Sequence, residues 1–76
     1  MIKLIAIAVE DEWAYYSENG EYFLITPLGK PTKVDMNHIE KAIAFYGYEE
    51  RNIDFENKDK LNTYLREQSE LFYKDK

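Results

Sequence analysis

Asn19-Gly20 lies between two runs rich in aromatic and aliphatic residues, Trp13 to Ser17 and Tyr22 to Thr26. No other feature of the chain limits its fold so strongly. A two-residue hairpin loop in a type I′ turn needs positive φ at both central residues, and Asn-Gly accepts this at little cost. The loop sets the register: Ser17 opposite Tyr22, Tyr16 opposite Phe23, Tyr15 opposite Leu24, Ala14 opposite Ile25 and Trp13 opposite Thr26. Alternation then places Trp13, Tyr15, Tyr22 and Leu24 on one face, and Ala14, Tyr16, Phe23 and Ile25 on the other. Both faces are apolar, which a sheet covered on one side does not require.

The preceding segment, residues 2–9, is a β run of Ile, Val, Leu and Ala. Simple alternation puts Ile5, Ile7 and Val9 on one face and Leu4, Ala6 and Ala8 on the other. Apolar residues on both faces mark a central strand. Glu10-Asp11-Glu12 is the turn that leads from it into the hairpin. Residues 27–32, with Pro27 and Pro31, read as a stiff loop.

A helix over roughly residues 36–46 follows, capped by Asp35 or by Asn37, the latter with Glu40 at capping-box spacing. Ile39, Ala42, Ile43 and Tyr46 form its apolar stripe, and Gly47 suits a left-handed end. Residues 51–56 alternate, with Ile53 and Phe55 against Asp54 and Glu56, as a short extra strand would. Asn57 can cap a last helix over roughly residues 58–73, with the stripe Leu61, Tyr64, Leu65, Gln68 and Phe72. Lys74 and Lys76 complement the dipole at its end. The fold class is therefore α+β: a three-stranded antiparallel meander (2–9, 13–17, 22–26) with two helices, most simply packed on one face.

The chain has 76 residues, no cysteine, and a hydrophobic content of 45%. That length suits one domain spanning residues 1–76. The hydrophobic content separates it from disordered chains of similar charge. Without cysteine there are no disulfides, thiolate metal sites or cysteine nucleophiles. Small secreted domains usually rely on disulfides, so a cytoplasmic setting is expected. The apolar N-terminal run ends at Glu10 with no small-residue cleavage site, and it falls short of the ~20 residues of a membrane span.

A net charge of −5 disfavours direct contact with nucleic acid or with anionic membranes, both of which are bound through Lys and Arg. Within residues 1–29 five acids face a single lysine: Glu10, Asp11, Glu12, Glu18 and Glu21 against Lys3. A net charge of this size is also what keeps an ordinary small domain soluble.

Catalytic constellations are not evident. The one histidine, His38, falls at a helix start, with Glu40 two positions away on a different side of the helix. Ser17 and Ser69 lie in no nucleophile elbow. Three consecutive acids on a short turn do not readily converge on one cation, and there is no phosphate-binding loop. The expectation is a non-enzyme without metal or cofactor.

Aromatic content is the unusual feature: seven tyrosines, four phenylalanines and one tryptophan. Tyr and Trp are enriched at protein interfaces, and a tyrosine hydroxyl wants a partner or water. The sequence therefore points to an interaction module that binds a protein partner or itself through Trp13, Tyr15, Tyr22 and Leu24. The runner-up is an acidic inhibitor, in which Glu10, Asp11, Glu12, Glu18 and Glu21 imitate phosphates before a basic nucleic-acid-binding protein. Glu49, Glu50, Asp54 and Glu56 would extend that patch if the fold gathers them.

Overall fold

In a computed structural model, which describes residues 1–74, five strands and two helices follow one another along the chain. They are β1 (Ile2–Ala8), β2 (Trp13–Glu18), β3 (Glu21–Ile25), β4 (Thr32–Val34), α1 (Met36–Phe45), β5 (Glu49–Phe55) and α2 (Lys58–Lys74). The strands make one antiparallel sheet in the order β4-β3-β2-β1-β5, so β1 is its centre. The α+β class, the meander, both helices and the extra strand all agree with the sequence. Lys76 lies outside the described residues.

The hairpin has the register that Asn-Gly implies. Ala14 pairs with Ile25, Tyr15 with Leu24, Tyr16 with Phe23 and Ser17 with Tyr22, while Trp13 and Thr26 fall beyond the ladder. Asn19 and Gly20 both take positive φ, 53° and 81°. A Cβ at Gly20 would meet no atom within 4 Å, so a substitution there acts through the backbone alone. Gly20→Val is expected to cost about 1–3 kcal/mol, the scale of local backbone strain for a β-branched residue held at positive φ. Urea denaturation measures this. A midpoint equal to wild type would show that the turn tolerates a β-branched side chain and does not set the register.

Strict alternation fails in β1. Leu4 lies opposite Tyr16 and Ala6 opposite Tyr15, so Ile5 is an extra residue, a β-bulge. Leu4 therefore shares a face with Ile7 and Val9, and Ile5 shares the other with Ala6. This corrects the simple division of that strand into odd and even residues. A matching irregularity in β5 absorbs the shift on the other side, between Ile53 and Glu50.

β4 is a further difference, since Thr32–Val34 reads as loop and helix approach in the sequence. Thr32, Lys33 and Val34 pair with Leu24, Phe23 and Tyr22, and the Lys33 ammonium meets the Glu21 carboxylate at 2.9 Å. Three residues carry too little pattern to show a strand. What recruits them is the open edge of β3, whose backbone groups need partners.

The helices are apportioned one to each face of the sheet. On one side Leu61 and Leu65 of α2 pack with Ile2, Leu4, Ile7, Ala14, Tyr16 and Ile25. On the other, Ile39 and Ala42 of α1 pack with Ala6 and Tyr15, flanked by Tyr22, Leu24, Val34, Ile43 and Tyr48. The physical reason is the two-sided apolarity of the hairpin and of β1: each face needs its own cover. The caps are local. Asp35, not Asn37, caps α1, its Oδ1 accepting from the His38 N–H at 2.9 Å. Asn57 Oδ1 accepts from the Lys60 N–H at 3.0 Å at the start of α2. Gly47 ends α1 with φ 76°, and the Tyr48 N–H returns to the Ala42 carbonyl.

Candidate functional site

The hairpin face proposed from sequence lies mostly beneath α1. Tyr15 is buried, its ring edge-on to His38 at 5.5 Å between centroids and tilted against Tyr48 at 5.0 Å. Tyr22 and Leu24 are half-buried against the same cluster. Trp13, at the open end of β2, is the member that remains outside, 42% exposed. The set thus divides into one exposed ring, one fully covered ring and two side chains at the margin.

Burial governs the chemistry of these tyrosines. It pushes the Tyr15, Tyr16 and Tyr48 hydroxyls above the ordinary phenol value, most strongly at Tyr48, where Tyr15 and Asp11 add to the effect. The Tyr15 and Tyr48 rings lie against each other, 5.0 Å between centroids, and burial holds both hydroxyls as neutral phenols. This arrangement stiffens the layer under α1 and offers no ready base or nucleophile at neutral pH.

Sequence reasoning missed the exposed end of α1. The stripe spacing places Tyr46 among the buried residues, but it is 76% exposed, and Phe45 beside it is 78% exposed. The helix stops at Phe45, and the C-cap residue Tyr46 has φ −111°, which turns its side chain off the helical stripe. A signal was present in the adjacent Gly47, which sets the end of the helix and so the limit of the stripe.

The same edge of the sheet carries Trp13. Glu49 pairs with Ile7 and Trp13 with Ala8, so the segment leaving α1 and the start of β2 reach the same end of β1. Trp13 also lies on the α1 side of the sheet, by alternation with Tyr15. Tyr46 and Trp13 therefore rim one end of the α1 face, and Phe45 beside Tyr46 turns to the outer side of α1, next to Asn37, Glu40, Lys41 and Ala44.

The five acids do not form one surface. Glu10, Asp11 and Glu12 occupy the β1–β2 turn, with Glu12 in a left-handed conformation at φ 59°. Glu18 and Glu21 face each other across the hairpin end, at the far end of β2. Glu21 is paired with Lys33, whereas Glu10, Asp11, Glu12 and Glu18 have no ion-pair partner among the described residues. Of the additional acids, Glu49 meets Arg51 at 3.6 Å and Glu56 meets Lys60 at 3.3 Å.

Among the described residues no three His, Asp or Glu side chains come together as a metal-ligand set. No described helix is long and apolar enough to cross a membrane. The chain matches no protein-family model, no curated protein and no solved structure.

Proposed function

We propose that this chain is a non-catalytic protein-interaction module, and that its contact surface is the rim of Tyr46 and Trp13 together with the adjacent ring of Phe45. One observation carries the reading. Two adjacent aromatic rings are more than three-quarters exposed at the end of a helix whose inner face is already packed. They contribute little to the fold where they stand. Buried under a partner, each ring would remove a large apolar area from water, and aromatic anchors of this kind dominate interface energies. The original hairpin set enters through Trp13. Tyr15, Tyr22 and Leu24 support the rim from beneath.

A Phe45→Ser/Tyr46→Ser variant tests the proposal. Both side chains are exposed, so its thermal midpoint is expected to stay near that of wild type, each surface change being worth about 0.5 kcal/mol or less. Binding to a partner, or to a second copy, is expected to fall at least about 30-fold, the effect of losing one hot-spot side chain worth about 2 kcal/mol. Light scattering reads the self-association arm, and calorimetry with a purified partner reads the other. A partner held equally well by the double variant would overturn the assignment.

The acidic reading remains a second proposal, favoured by the four unpaired carboxylates at the two ends of β2. It differs in its salt response. Binding to a basic partner through these groups would weaken steeply with ionic strength, whereas the aromatic rim would not.

A further inference from the structure

A cleft of about 380 Å³ opens on the α2 side of the sheet, between α2 and the loops at the ends of β1 and β3. Ile25 and Leu65, both buried, form its floor. Its walls carry Glu12, Thr26, Asn62 and Arg66, with Pro27 and Gly29 at the rim. The Glu12 carboxylate, the Thr26 hydroxyl, the Asn62 amide and the Arg66 guanidinium have no hydrogen-bond or ion-pair partner among the described residues. Four polar side chains of complementary kinds thus line one small space, and none is used by the fold.

The two charges are the informative pair. An unrestrained carboxylate and guanidinium on neighbouring walls attract and would close into a bidentate ion pair. Here they form no ion pair. Glu12 lies on the β1–β2 turn in the left-handed region, φ 59°. Arg66 stands on a helix anchored by Leu61 and Leu65 in the core. The Tyr73 hydroxyl donates to the Glu10 carbonyl at 3.0 Å and ties the last turn of that helix to the turn carrying Glu12. The two opposite charges, unpaired with each other, line a cleft with an apolar floor.

We propose that this cleft binds a small zwitterion, an α-amino acid, with its carboxylate on Arg66, its ammonium on Glu12 and its side chain over Ile25 and Leu65. Arg66 suits the carboxylate because its planar fork makes two parallel hydrogen bonds. Thr26 and Asn62 supply the remaining donors and acceptors. The volume lies within the range of small-molecule sites and exceeds what a single ion needs. The inference is independent of the aromatic rim on the opposite side of the sheet.

Amide chemical-shift titration of the full chain with the common L-amino acids is the test. L-leucine is the lead probe, with 4-methylpentanoate and 3-methylbutylamine as analogues lacking one charge each. The expected result is saturable shifts at Glu12, Thr26, Asn62 and Arg66 with an amino acid, and at least about tenfold weaker binding of either analogue. Arg66→Gln and Glu12→Gln, both at accessible positions, are expected to weaken it by a similar factor while leaving the rest of the spectrum in place. No saturable shift with any of these amino acids up to about 10 mM would overturn the proposal. So would equal binding of 4-methylpentanoate, which marks a plain anion site, or unchanged affinity in both variants.

Discussion

Tyr16→Ala is expected to cost about 3–5 kcal/mol, the range for truncating a large buried aromatic ring. A domain of this length has a net stability of only about 4–11 kcal/mol, so the variant should be largely unfolded or melt far below wild type. Tyr16 is 1% exposed, lies opposite Leu4 in the sheet and stacks on Phe23 at 5.3 Å between centroids. It lies between Leu4 of β1 and Phe23 of β3 on the α2 side, in the cluster with Ile2, Ile7 and Leu61. Tyr16→Phe keeps the ring and should stay within about 1.5 kcal/mol of wild type. Circular dichroism with urea titration compares the two. An alanine variant as stable as wild type would mean that the α2 side of the core does not depend on this ring.

Alkaline unfolding is the second large effect. Burial raises the Tyr15, Tyr16 and Tyr48 hydroxyls above the ordinary value of 10.0, so each keeps its proton in the folded state after the unfolded chain would release it. Above that pH the unfolded state binds fewer protons, and stability falls as pH rises. The contribution is fully present below pH 10 and is lost on the way up through the folded-state values. Tyrosinate absorbance should therefore show Tyr15, Tyr16 and Tyr48 ionising in a cooperative step that coincides with loss of the circular dichroism signal. Smooth ionisation of Tyr15, Tyr16 and Tyr48 with the fold intact would remove the core role given to these rings.

The parts of the fold that were legible in the sequence are those written in short-range chemistry. Asn19-Gly20 dictates a turn, and the turn dictates which residue faces which across five pairs of the hairpin. Asn57 and Gly47 punctuate the helices through their own backbone preferences. Both hairpin faces are apolar in the sequence, but the sequence did not say which helix covers which; the structure places α1 on one and α2 on the other. The bulge at Ile5 could not be read, because an aliphatic run looks the same with or without a slipped residue. β4 depends on an edge that exists only once β3 is in place.

The candidate site was legible in kind more than in position. An excess of rings is visible in composition, but which rings stay outside depends on where α1 ends and what it covers. Tyr15 and Tyr46 exchange their expected roles for this reason, one going under the helix and the other emerging at its tip. The α2-side cleft brings Glu12, Thr26 and Arg66 together from three separate segments. No local pattern records such a meeting.

The central strand imposes an order on assembly. β1 can pair with β2 as soon as the first hairpin forms, but its other edge waits for β5, with Ile2 finally opposite Phe55. Closing so long a loop is slow relative to forming neighbouring hairpins. A nascent chain therefore passes through an interval with β1 open along one side. In that interval its row of unpaired amides, flanked by isoleucine and leucine, is a template for another chain. Crowding and synthesis rate, more than final stability, would then decide how much of this protein reaches its native sheet.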